Sequence, residues 1–220
     1  MSVDQSLLWK MYSALVGIGV VCAILVASVY LATSPFIAAN KAAALNQAVL
    51  SVLGKVDKIQ ALQWHEDRFI IVESNQTKSI DGIFAGYDKS GGLLGYAIAA
   101  NGMGYQDTIE LIYGYSPTLQ QIIGIRVLEN RETPGLGNRI ASDSAFLRQF
   151  RHFNVQLEAS NTRLANDIRI AKKGRQASPG EIDSISGATI SSKAVARIIN
   201  KSSQRWVPRL YAQGNRDDNP

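Results

Sequence analysis

"LLGYAIAANGMGYQDTIELIYGYSPTLQQIIGIRVL", residues 93–128, is the stretch on which the fold turns. It contains three β-rich runs, at 93–100, 108–115 and 121–128, separated by "NGMGYQD" and "SPTLQ", whose Gly, Asn, Asp and Pro are turn chemistry. A parallel connection needs a crossover of about a dozen residues or more, usually a helix, and these separators cannot hold one. The runs therefore predict a largely antiparallel sheet. Upstream, "RFIIV" at 68–72 and "GIFAGY" at 82–87 add strands of the same kind, and "DKSGG" joins the latter to the run at 93.

Downstream the period changes. "SDSAFLRQFR" at 142–151 opens with Ser and Asp suited to a helix N-cap. A longer helix is predicted from Thr189 through "SSKAVARIINKSSQRW", with Ala194, Val195, Ile198 and Ile199 on one face and Lys193, Arg197 and Lys201 on the other. Strands first and helices after give an α+β domain. The polar end "QGNRDDNP" predicts a frayed tail.

In front of this domain, no charged side chain occurs between Lys10 and Lys41. Residues 11–33, "MYSALVGIGVVCAILVASVYLAT", suffice to cross a hydrocarbon core of about 30 Å as a helix that satisfies its own backbone. A signal peptide is the rival reading, but its apolar core runs only about 7 to 15 residues. Lys10 on one flank faces only Lys41 on the other, so the charge rule leaves the orientation undecided. "NKAAALNQAVLSVLGKV" then predicts a juxtamembrane helix that spaces the domain from the bilayer, with Gly54 as its stop.

Beyond position 40 the chain has 22 Lys and Arg against 17 Asp and Glu, which places the whole +5 net charge there. The basic residues are scattered, "KKGR" at 172–175 is the one dense cluster, and no nucleic-acid motif accompanies it, so nucleic acid is not an expected partner. The single cysteine, Cys22, falls inside the apolar segment, which excludes disulfides and thiolate-held clusters from the domain. His65 and His152 stand apart from any ligand-like neighbour and predict no zinc site.

Two segments carry the chemistry that remains. In "DSISGATISSK", 183–193, Gly187 permits a sharp turn, Ala188 leaves room and Thr189 stands at the helix start. Unpartnered N–H groups and the helix dipole make such a start an anion site, to which Ser191 and Ser192 would add hydroxyls. Capping by Ser186 or Thr189 explains the same residues, and both readings stand at this point. In "RETPGLGNR", 131–139, Pro134-Gly135 and Gly137 make a tight loop that a planar ligand could approach, or simply a connection. "NGMGYQDT" fails as a dinucleotide fingerprint because Asp107 replaces the third glycine, and Ile190 breaks a Ser-x-x-Lys motif ending at Lys193. "NQT" at 75–77 and "NKS" at 200–202 are chance-level sequons.

An apolar anchor, then "ETPGLG" at 132–137, then D-x-x-S-G-A-T at 183–189, resembles the FMN-binding domain of the G subunit of the Rnf electron-transport complex. The C subunit of the sodium-pumping NADH:quinone oxidoreductase is a close relative. The resemblance implies one FMN joined by a phosphoester to Thr189. It implies a flavin transferase that uses FAD and recognises a sequence including Asp183, with Ser186, Gly187, Ala188, Ser191 and Ser192 around the attachment. Thr133, Gly135 and Leu136 are then the expected contacts of the isoalloxazine ring. It implies electron relay between ferredoxin and NAD⁺ beside iron–sulfur and flavin subunits, in a bacterial inner membrane whose lipid holds the anchor. The N-terminus would be cytoplasmic and the domain periplasmic. No side chain is implied as an acid, base or nucleophile.

On this reading 1–10 is a short arm, 11–33 the span, 34–80 the juxtamembrane helix and first strand, 81–205 the FMN-binding domain and 206–220 a tail. Relatives commonly carry Gly-Tyr-x-Gly-x-Ile where this chain has Gly104-Tyr105-Gln106-Asp107-Thr108-Ile109, which puts close backbone approach at Asp107 in doubt. The same chemistry in the quinone reductase is the nearest alternative, although its subunit is usually longer. A cofactor-free, membrane-anchored assembly protein is the alternative from another class.

Overall fold

The computed structural model describes residues 5–72, 82–171 and 178–217. The sequon at 75–77, the "KKGR" cluster at 172–175 and the last tail residues lie outside the described residues. The chain forms two compact units, Met1–Leu45 and Asn46–Pro220.

The first unit is helical from Gln5 onward, the start of α1, Gln5–Leu53. Leu15, Val26 and Leu31 are each about 70% exposed, and apolar side chains point outward on every side. A helix apolar all round, with none of its apolar window buried, suits a hydrocarbon surrounding. It is the one helix among the described residues long and apolar enough to cross a membrane. The expected span and juxtamembrane helix are one uninterrupted run, with Pro35 inside it at the cost of one backbone hydrogen bond.

The second unit begins with the last turns of that helix. Gly54, at φ +83, ends it by donating its N–H to the Leu50 carbonyl, the left-handed stop that glycine adopts without steric strain. Ala48, Val49, Val52 and Leu53 are buried, so these turns belong to the domain core and are no mere spacer.

The sheet has seven antiparallel strands in the order β2-β1-β3-β4-β5-β6-β7. The strands are β1 Lys58–His65, β2 Arg68–Val72, β3 Ile83–Tyr87, β4 Leu93–Met103, β5 Thr108–Ser116, β6 Gln121–Glu129 and β7 Phe153–Asn154. The antiparallel expectation holds throughout this sheet. The segment 34–80 contributes two strands, and not one. β1 and β2 form a hairpin whose turn residues Glu66 and Asp67 both have positive φ, the geometry that matches strand twist in a two-residue loop. Since β1 also pairs with β3, the sheet crosses the boundary expected at residue 81.

α1 ends on one face of this sheet. A row of glycines across four strands, Gly86 beside Gly95 and Gly114 beside Gly124, makes the room. A Cβ on Gly114 would lie 2.6 Å from the Val52 carbonyl oxygen, and one on Gly86 would lie 2.7 Å from Leu53 Cδ1. The other face receives α3, Thr189–Asp217, with Ala194, Val195, Ile198 and Ile199 buried as their spacing predicts. There Tyr113 donates its hydroxyl to Ser202 Oγ at 2.9 Å, and burial pushes that phenol up to about 12.

α3 runs on past Trp206, the last residue of the expected helix. Trp206, Val207 and Leu210 are buried, so the boundary expected at 206 cuts through a packed helix. The helix expected at 142–151 is confined to α2, Ser144–Arg148, where the Asp143 side chain caps by accepting from Ala145 and Phe146 N–H. A short parallel pair, β8 Arg169–Ile170 and β9 Glu181–Ile182, delivers the chain to the start of α3.

Candidate functional site

From β9 the chain enters "DSISGAT". Gly187 takes φ +83, a left-handed turn closed to most other residues, and sends the backbone into α3. The Ala188 carbonyl accepts from Ser192 N–H at 2.9 Å, so helical bonding starts there and the first-turn N–H groups at Thr189, Ile190 and Ser191 precede it. Among the described residues neither Ser186 nor Thr189 makes a capping bond. Both are exposed, as is Gly187, while Ala188 is buried. The Thr189 hydroxyl thus stands open at the positive end of a long helix.

The two serines behind it are placed otherwise than expected. Ser192 is fully buried, accepts from Ile185 N–H at 3.1 Å and donates to the Ala188 carbonyl at 2.9 Å. Ser191 is buried too and donates to the Glu132 carboxylate. Their hydroxyls hold the loop together, and neither is an open donor beside Thr189. Asp183 is exposed at the loop's entry, where its backbone is gripped by the Gln149 side chain, which accepts from Asp183 N–H at 2.6 Å and donates to its carbonyl at 3.2 Å.

The "ETPGLG" segment comes to the same place. Thr133 to Leu136 is a tight turn with Pro134 and Gly135 at its centre, Gly135 at φ +75 and the Leu136 N–H donating to the Thr133 carbonyl at 3.2 Å. Leu136 is 52% exposed, yet a Cβ on Gly187 would sit 3.7 Å from its Cδ2, so the two motifs touch. The 3₁₀ helix Gly137–Ala141 follows, and Arg139 on it donates to the Ser186 carbonyl at 3.2 Å and to Asp143 at 2.7 Å. Around this junction Met103, Tyr105, Leu136 and Ile190 expose large apolar side chains. An anion site, an exposed Pro-Gly turn whose Gly135 N–H is already held by Asn138 Oδ1 at 2.8 Å, and apolar surface together suit a planar ring that carries a phosphate.

The residue that sequence reasoning missed is Glu132. It is 4% exposed, and no Lys or Arg among the described residues pairs with it. Oε1 accepts from Tyr105 N–H at 2.8 Å and Gln106 N–H at 3.0 Å, and Oε2 from Ser191. Burial works to raise its pKa, but these bonds outweigh it and hold the carboxyl below its ordinary value. The signal available was a carboxylate at the head of a Gly-rich loop. The doubtful Asp107 sits in the adjoining turn, where Arg131 lies 3.3 Å away.

An open cleft of about 390 Å³ lies beside the loop, lined by Arg139, Asp143, Phe146, Gln149, Asp183 and Ser186 among others. A larger groove of about 640 Å³ runs between Trp64, Phe69, Arg205 and Arg209 toward the other end of α3. It contains none of the motif residues and has no part in this site.

The family model described as "FMN-binding domain" matches residues 104–204, which contain both motifs. That match sets the class: the domain is an FMN-binding domain. A relative from Haemophilus influenzae, the G subunit of an "Ion-translocating oxidoreductase complex", is 30% identical over 200 residues, 87% of this chain and 86% of its own length. The chain belongs to the family of these G subunits. A Methanosarcina acetivorans protein of the same name is 37% identical over 119 residues, 54% of this chain, and the match spans 55% of that relative. A Clostridium ljungdahlii relative, the G subunit of a "Proton-translocating ferredoxin:NAD(+) oxidoreductase complex", is 25% identical over 81% of this chain and 80% of its own. Among solved structures, NqrC from Shewanella oneidensis superposes with a TM-score of 0.65 at 18% identity, covering 81% of this chain and 99% of that one, a likeness of fold. The fold class and the family read from the motifs are both borne out.

Proposed function

We propose that this chain is a membrane-anchored electron-carrying subunit of an ion-translocating oxidoreductase complex, holding one FMN through a phosphoester on Thr189. The observation that carries the proposal is the exposed Thr189 at the start of α3, two residues beyond Gly187, where a Cβ would lie 3.7 Å from Leu136 Cδ2 of the "ETPGLG" segment. The ester oxygen is the threonine's own, and the phosphate's remaining charge lies against the helix start. Bound flavin supplies the redox chemistry; the polypeptide places it and keeps it from diffusing away.

Each residue then has a task. Gly187 and Ala188 shape the turn, and Ser186 opens it to solvent. Thr133, Gly135 and Leu136 face the ring, while Ser191 and Ser192 hold the frame from behind. Asp183, exposed at the loop's entry, is read by the flavin transferase, which draws on FAD. The partners are iron–sulfur and flavin subunits of an Rnf-type complex, and the name of the Clostridium ljungdahlii relative supports ferredoxin and NAD⁺ as the ends of the chain of transfer. The apolar run of α1 sits as a single span in the bacterial inner membrane, N-terminus inside and domain outside. Intact mass of the chain co-produced with a flavin transferase tests the proposal: an increment of one FMN less water supports it, and an unmodified chain refutes it.

A further inference from the structure

We infer that Glu132 is a positioning residue for the flavin, a buried clamp that fixes the ring-facing turn 133–136 and the 104–107 turn against the first turn of α3. The inference rests on the reading of Thr189 as the attachment point. Its ground is independent of that reading: one carboxylate is bonded to two different segments at once. Oε1 holds the Tyr105 and Gln106 N–H groups, Oε2 holds Ser191 Oγ, and Glu132 itself heads the loop that contains Thr133, Gly135 and Leu136. Ser191 is two residues from Thr189 in the same helical turn. The clamp thus sets the tether at a fixed place relative to the loop.

The surrounding residues are cut to fit it. A Cβ on Gly137 would lie 2.6 Å from Ser191 Oγ and 2.7 Å from Glu132 Oε2, and a Cβ on Gly104 would collide with Oε1. Both glycines leave space into which the carboxylate fits, shared with Ser191 Oγ at Gly137 and with the Asp107 carbonyl and Ile109 at Gly104. A buried carboxylate without a cation is expensive, and backbone N–H bonds with the dipole of α3 are what make it tolerable here. Arg197 adds a second tie, donating to the Met103 carbonyl at 2.6 Å just before the same turn. A tether alone would leave the ring free to swing about the ester and ribityl bonds. The clamp makes the wall against which the ring rests a rigid one.

Three full-length chains, wild type, Glu132→Gln and Glu132→Ala, are co-produced with a flavin transferase and purified in detergent. Intact mass, visible circular dichroism and fluorescence anisotropy of the attached flavin, and amide hydrogen exchange at Tyr105 and Gln106 are measured on each. All three chains are expected to carry the FMN increment. In Glu132→Ala the flavin dichroism falls toward that of free FMN, anisotropy drops, and the two amides exchange about tenfold faster or more. Glu132→Gln restores all three signals, because its amide oxygen accepts both N–H groups and its NH₂ donates to Ser191 Oγ.

Wild-type dichroism and exchange in Glu132→Ala, or a Glu132→Gln chain as impaired as Glu132→Ala, would overturn the inference. A wild type without FMN refutes the attachment reading instead, and the exchange rates still decide whether the clamp exists. Should Glu132→Ala fail to fold, Ser191→Ala breaks the clamp on the helix side only. It is expected to lower flavin anisotropy, and an unchanged value overturns the inference.

Discussion

At the scale of single residues, the site couples to pH through Glu132. Hydrogen bonds from Ser191, Gln106 and Tyr105 overcome burial and depress its folded pKa. A depressed carboxylate adds stability that is fully present above its unfolded pKa of about 4.3 and is lost as pH falls through the folded value. Between about pH 5 and pH 3 the wild-type domain should therefore lose more thermal stability than Glu132→Gln, whose side chain does not titrate. Parallel losses in differential scanning calorimetry would show that the carboxylate is not held as described. Thr189 was legible in the sequence because a small-residue turn and a helix start are local patterns. Glu132 was not, because its partners lie 26, 27 and 59 positions away and only the fold assembles them.

At the scale of elements, the seat of α1 on the sheet makes the sharpest demand. Gly114→Ala would push a methyl against the Val52 carbonyl and to within 2.9 Å of Ile123 Cγ1, and overpacking of this kind costs about 1 to 3 kcal/mol. Gly124→Ala, whose nearest approach to Val52 is 3.9 Å, serves as the control and should be close to neutral. Equal midpoints for the two variants in urea would refute the close seat. The central strands were readable from their β-rich runs and short separators. β1 was not: "KIQALQWH" buries the adjacent Ala61 and Leu62 and shows no clean alternation, so its strand identity comes from pairing with β2 and β3. The glycine row was equally silent, since glycines on four different strands look unrelated along the chain. The extent of α3 past Trp206 was missed because a polar tail hid the buried Val207 and Leu210.

At the scale of the whole molecule, the proposed function puts a tethered flavin at a membrane surface, with the domain on its outer side. If the domain lies outside, protease added to intact spheroplasts should degrade it, and leave it whole only in inverted vesicles; the reverse pattern would place it in the cytoplasm. The central claim is tested most directly by intact and peptide mass on the full chain, wild type beside Thr189→Ala, each co-produced with a flavin transferase. The account predicts one FMN less water on the wild type, carried by the peptide containing Thr189, and no increment on the variant. An increment that survives in Thr189→Ala, or a wild type that carries none, would contradict it.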